Sequence, residues 1–267
     1  MMTRSLFYIF ASLLVVGGCS VDHGIAPLPG RLEVDVSFRG EAPPNTRGIY
    51  LIVAPQFPPH AINELYQVPN SLPLDQKQIS TGIDLPYGHY DAFALWWYSS
   101  DTKSNLADIL AMPLDYTNFY LPMGFDITRE QPVVKKSLIA DWNGVNRDAA
   151  IKGTITFNGP FPDNTLAVAV AAFKYKPEAP VHFLIYLKSI DFGVDENPYD
   201  FILPVRRGGT GYIAAYWLPE NAALMDFREI GVYRDPAAPE HPGKVTLSSG
   251  ETRSGINIEA DWNKIED

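Results

Sequence analysis

The chain has 267 residues, with 21 Lys and Arg against 31 Asp and Glu and a formal net charge of −10. At 46% hydrophobic and 19% charged residues it has a globular composition, long enough for one large domain or two of about 120 residues, and not that of a disordered chain. One uninterrupted apolar run excludes a polytopic membrane protein, the acidic balance argues against a nucleic-acid binder, and a single Cys forms no internal disulfide.

The first segment carries one positive charge at Arg4, an apolar run from Leu6 to Val16, and then Gly17, Gly18, Cys19 and Ser20. About a dozen apolar residues cannot span a hydrocarbon core that needs roughly twenty, and small residues at the end of such a run are where a signal peptidase cuts. Val16-Gly17-Gly18-Cys19 resembles the bacterial lipobox, in which a branched aliphatic residue and two small ones precede a Cys. The resemblance implies a signal peptide over residues 1–18, a diacylglycerol thioether on Cys19, and membrane lipid as the partner reached through Cys19. An ordinary secretory signal with a chance Cys is the alternative. Ser20 stands where inner-membrane retention signals usually place Asp, so the same resemblance implies the outer membrane. Residues 19–30, with Gly24, Pro27, Pro29 and Gly30, read as a lipidated tether.

The remainder repeats itself. Phe38-x-Gly40-x-x-Pro43-x-Asn45-Thr46 recurs as Phe157-x-Gly159-x-x-Pro162-x-Asn164-Thr165, and Ala140-Asp141-Trp142-Asn143 as Ala260-Asp261-Trp262-Asn263. Between them Gly88 matches Gly208, Trp97 matches Trp217, Asp115 matches Asp235 and Pro122 matches Pro242. The expectation is an internal duplication with domains over residues 31–146 and 147–267 and a boundary in Gly144 to Asp148.

Each unit reads as strands. Leu32, Val34, Val36 and Phe38 alternate with polar residues, as do Ile151, Gly153, Ile155 and Phe157 in the second unit. Ile49 to Ala54 and Val168 to Phe173 are short apolar runs suited to central strands. Tyr90 to Tyr98 and Tyr212 to Leu218 are aromatic strands. Phe125, Ile127, Leu138 and Ile139 close the first unit; Val245, Leu247, Ile256 and Ile258 close the second. Helical spacing is scarce, with Ala222 to Glu229 the best candidate. The pattern predicts an all-β protein of two tandem Ig-like antiparallel β-sandwiches. The strand ending in Phe-x-Gly-x-x-Pro, the Gly88-His89-Tyr90 strand entry and the closing Leu/Ile-x-x-Asp-Trp resemble the carboxypeptidase-regulatory-like, transthyretin-like modules of bacterial envelope lipoproteins. That resemblance implies spacer or binding modules without catalysis or cofactor, in the cell envelope.

Trp97, Trp142, Trp217 and Trp262, matched between units, read as core, since a buried Trp removes about 150–250 Å² from water. The strand Tyr90 to Tyr98 is apolar on both faces, so its outer face is covered by a loop, the sister domain or a ligand. The ligand reading makes Trp96, Tyr98, Tyr116, Phe119 and Tyr120 a stacking surface for a glycan or an envelope protein. Asp141 and Asp261 read as turn caps. Asp191, Asp195, Asn197 and Asp200 form an acidic loop with a weak likeness to a calcium site, lacking the terminal Glu and interrupted by Pro198. The five His residues show no zinc spacing, no nucleophile elbow or phosphate loop is present, and Gly208-Gly209-Thr210-Gly211 enters a strand as a turn. The leading expectation is a non-catalytic, membrane-anchored binding or spacer protein; the alternative is a glycan-binding accessory lipoprotein.

Overall fold

The alternating run at residues 32–38 folds as strand β1 (Gly30–Arg39), with Leu32, Val34 and Val36 fully buried and the polar residues between them turned outward. The structure is a computed structural model that describes residues 29–59, 62–100, 106–118, 121–220, 222 and 226–265. Cys19 and the segments expected as signal and tether up to residue 28 lie outside the described residues, as do Phe119 and Tyr120.

After β1 come β2 (Thr46–Ala54), β3 (Tyr66–Gln67), β4 (Gln78–Leu85), β5 (Gly88–Tyr90), β6 (Ala92–Ser99), β7 (Ile109–Ala111), β8 (Leu114–Asp115), β9 (Leu121–Pro122), β10 (Phe125–Ile127) and β11 (Val133–Asp141). One sheet has the order β11-β1-β4 and faces a second of order β3-β2-β6-β7 across a common core that runs from Leu32 to Val145. The order then repeats with β12 (Ala149–Phe157), β13 (Thr165–Phe173), helix α1 (Pro180–Tyr186), β14 (Leu187–Asp191), β15 (Tyr199–Val205), β16 (Gly208–Thr210), β17 (Tyr212–Pro219), β18 (Arg228–Val232), β19 (Val245–Leu247), β20 (Thr252–Arg253) and β21 (Ile258–Ala260). Here β15-β12-β20, with β21 also on β12, faces β14-β13-β17-β18 across a core that begins at Ala149. The protein is an all-β sandwich fold, and no helix of the described residues is long and apolar enough to cross a membrane.

Both apolar runs of six become inner strands, β2 and β13, paired on either side. The pairing is antiparallel except where the first strand of each half meets the last, β1 with β11 and β12 with β20 and β21, which run parallel. The second parallel ladder is interrupted at Gly153, because Ile256 crosses there: a Cβ on residue 153 would stand 1.8 Å from the Ile256 carbonyl oxygen. Two local expectations are corrected. The aromatic strand breaks at Asp91 into β5 and β6, and the expected helix at residues 222–229 does not appear among its described residues 222 and 226–229, which end in β18; a helix lies instead at Pro180–Tyr186, where Pro opens the first turn.

Matched residues do matched work. The indole Nε1 of Trp97 donates to Thr46 Oγ1 at 2.9 Å, and Trp217 to Thr165 Oγ1 at 2.9 Å. Trp142 stacks on Phe38 (5.4 Å, 17°) and the half-buried Trp262 on Phe157 (5.1 Å, 10°). Asp141 and Asp261 each accept from the backbone N–H two residues on, at 2.9 Å, capping a single 3₁₀ turn. The repeated Thr holds one Trp by its indole N–H, and the repeated Asp-Trp-Asn sets a second Trp against a strand Phe, in both halves.

Candidate functional site

The outer faces of the two aromatic strands decide what surface the protein offers. In β6, Ala94 and Trp96 point away from the first core and join Ile52 in a small outer cluster. Strand β7 adds to the β6 edge at Trp96↔Ile109, and Leu65, Tyr98, Ile109 and Met112 close over the indole, leaving Trp96 7% exposed. Trp96 is thus not the open stacking platform the sequence suggests; its own chain covers it. Tyr98 is half-buried beside it, edge-on to Tyr50 at 5.0 Å.

The matched position in the second half is Tyr216, 3% exposed under α1, with Phe183 at 4.9 Å and Phe173 at 5.9 Å in edge-to-face contact. Burial pushes its hydroxyl pKa far up, and neither this hydroxyl nor Trp96 Nε1 has a hydrogen-bond partner among the described residues. The two outer faces meet. Leu106 of the first half packs on the outer cluster of the second, while Leu184 of α1 joins Ile52, Leu65, Trp96, Ile109 and Met112 around a residual cavity of about 50 Å³. That volume is far below the roughly 300–1,000 Å³ of small-molecule sites, so the aromatics are spent on the junction.

A charge pair pins the same junction. Arg147, in the short connection between β11 and β12, donates to Asp108 Oδ1 at 2.7 Å and to the Ala107 carbonyl at 2.9 Å. The Asp108 side chain is fully buried and that of Arg147 is 8% exposed. The guanidinium also lies 5.3 Å from the Trp97 ring centre, as Arg228 lies 5.6 Å from that of Trp217. Sequence reasoning missed Asp108 and Arg147. They lie 39 residues apart without periodicity, and the only hint is an arginine inside the expected boundary.

Of the remaining candidates, Tyr116 is 75% exposed on a turn held by Asp115, whose Oδ1 accepts from the Thr117 N–H at 2.9 Å. The acidic loop does not converge on a common point. Asp191 accepts from Gly193 N–H and the Tyr199 hydroxyl, Asp200 accepts from Thr154, and Asn197 bridges both backbone groups of Phe157 at 3.0 Å. Asp195 is exposed, and no group of three His, Cys, Asp or Glu suited to a metal occurs among the described residues.

His89 sits between two carboxylates, with Nδ1 2.8 Å from Asp126 and Nε2 3.0 Å from Asp91. The hydrogen bond to Asp126 is the main cause of a pKa raised above 6.5. A raised folded-state pKa means the stabilisation is complete below the unfolded value and is lost as pH rises through the folded one. We expect His89→Gln to lower the melting temperature slightly at pH 5.5 and not at pH 8.5, an effect kept small by exposure. An NMR titration should show Asp126→Asn moving the His89 pKa down; an unmoved pKa would refute the pairing.

No family model matches the chain, and no curated protein matches it. Among solved structures it is similar to a leucine-rich repeat protein from Bacteroides thetaiotaomicron, at 9% identity and a TM-score of 0.32 over 87% of this chain and 26% of that one. It is also similar to a streptococcal ancillary pilin, at 9% identity and TM-score 0.26 over 86% and 62% of the two chains. A third likeness is to a pilus adhesin from Lactobacillus rhamnosus GG, at 8% identity and TM-score 0.22 over 86% and 29%. The chain spans less than two thirds of the length of each of these structures. Alignments this loose assign no function, and the functional reading rests on the chain's own residues.

Proposed function

We propose that the chain is a non-catalytic, lipid-anchored envelope protein. In this reading two duplicated β-sandwich modules, residues 31–146 and 147–267, form one stiff arm that presents a binding surface away from the membrane. The observation that carries it is the junction. Buried outer aromatics and the Asp108–Arg147 pair are side chains that a flexible linker between independent domains would leave in water. An arm of this kind needs attachment at one end, which the lipobox-like Val16-Gly17-Gly18-Cys19 supplies ahead of a short tether. Each buried acyl CH₂ contributes about 0.8 kcal/mol, so a multiply acylated Cys19 holds the arm stably.

Membrane fractionation tests the attachment. Cys19→Ser is expected to shift the protein from the membrane pellet to the soluble fraction, with the same thermal unfolding as the parent chain after detergent extraction. Persistent sedimentation with membranes would remove the anchor from this reading.

A further inference from the structure

The second half of this acidic chain carries a basic end. Two open grooves adjoin there, about 660 and 440 Å³ in volume, and both are lined by Lys174 and Gly209. Lys176 and Lys244 line the first; Arg147, Lys188, Arg206 and Arg207 line the second. Seven of the chain's 21 basic residues thus surround one continuous concavity, Arg147 alone among them already paired with a buried carboxylate, and no carboxylate is among the described residues lining it, in a chain with 31 acidic residues. Two carboxylates flank it: Asp148 pairs with Arg207 at 3.4 Å and accepts from its backbone N–H at 2.8 Å, and Glu229 accepts from the Tyr212 hydroxyl.

The groove is built by the fold. Lys188, half-buried on β14, donates to the carbonyls of Arg206 and Gly209 and to Thr210 Oγ1 at 3.0–3.1 Å, which holds the turn into β16 in place. All three partners are neutral, and burial followed by the nearby Arg206 charge holds the ammonium below its ordinary pKa. The site therefore has a surplus of positive charge that its own side chains do not neutralise. The Lys174 ammonium lies 5.1 Å from the centre of the 56% exposed Tyr175 ring, and that of Lys176 5.7 Å from Tyr212. At Gly209 the floor is open: a Cβ there meets no atom within 4 Å.

We propose that this groove binds an extended anionic polysaccharide, with carboxylate, sulfate or phosphate groups on successive sugars held by the lysines and arginines and a ring laid against Tyr175. The inference deepens the reading of a non-catalytic presenting arm and rests on it. The adjoining open grooves suit a chain rather than a single anion, and the exposed Tyr175 ring beside Lys174 suits a sugar rather than a lipid headgroup. A duplex, with one charge per roughly 1.7 Å, is repelled more strongly by the net charge of −10 than a glycan with one charge per sugar.

Calorimetric titration of the full chain with polygalacturonate tests this, against neutral dextran, phosphatidylglycerol vesicles and single-stranded DNA. Polygalacturonate is expected to bind, with affinity falling steeply as salt rises, and neutral dextran not to bind. Gly209→Glu, which places a carboxylate on the open floor, and separately Lys176→Glu with Lys244→Glu, should each weaken binding about tenfold or more at unchanged melting temperature. Lys135→Glu, on the exposed side of β11, should leave it unchanged. Absence of polygalacturonate binding, equal binding of dextran, or full affinity in both groove variants overturns the proposal. Tighter retention of vesicles or DNA than of polygalacturonate overturns it in favour of those partners. Polygalacturonate recovered shortened would instead refute the non-catalytic reading and leave the groove standing; recovered at full length and unbound, it refutes the groove and leaves the anchored arm.

Discussion

Asp108→Ala is expected to cost about 3–5 kcal/mol, because it strands the Arg147 guanidinium in a junction where its side chain is only 8% exposed. The Ala107 carbonyl and the Trp97 ring remain beside it, and neither carries the opposite charge. Calorimetric unfolding is the readout, and the variant should melt in two steps, the halves no longer held to one another. Asp108→Ala combined with Arg147→Met should recover much of the loss, since removing both charges of a buried pair is often close to neutral. A single variant that melts within about 0.5 kcal/mol of the parent would mean the halves are not fastened there, and the stiff arm would go with it.

Trp97→Ala and Trp217→Ala are the second pair of large effects, each expected at about 3–5 kcal/mol from lost burial and the cavity left behind. The smaller changes Thr46→Val and Thr165→Val should cost about 1–3 kcal/mol each, because they leave a buried indole N–H without its 2.9 Å acceptor. Equal costs at matched positions are what a duplication predicts. Trp97 differs in one respect, since its ring also faces Arg147, so Trp97→Ala and Asp108→Ala should show a coupling energy that Trp217→Ala and Asp108→Ala do not. Tolerance of Trp217→Ala within about 1 kcal/mol would break the equivalence.

These residues also show how far the sequence can be read. Alternation at residues 32–38 identifies the strand and its inner face because a side-chain period of two has no other regular cause. The matched Trp, Thr and Asp positions announce their roles because the same small set of contacts recurs in each half. Partners are another matter. A period of two says which face is buried and not which strand lies alongside, so the parallel β1–β11 pairing is invisible in the pattern. Helix α1 reads Pro-Val-His-Phe-Leu-Ile-Tyr, an apolar run whose β-branched and aromatic residues suit a buried strand equally well; tertiary packing against Phe173 and Tyr216 decides it. Trp96 illustrates the same limit. An apolar strand with two apolar faces requires a cover, and only the fold shows that β7, Leu65 and the second half provide it. The basic grooves gather lysines and arginines spread from residue 147 to residue 244, with only Lys174-x-Lys176 and Arg206-Arg207 as local hints.

The parallel ladders have a mechanical meaning. Because β1 and β11 run in the same direction, the chain enters the first half at one end and leaves it at the other, so a pull along the chain loads their nine paired positions lengthwise. The bonds along roughly 30 Å then resist in shear and fail together, where a hairpin pulled from its open end would unzip one bond at a time. In the second half the corresponding ladder has only two positions with β20 and three with β21, separated by the crossing at Gly153. Under tension the second half is therefore expected to yield before the first.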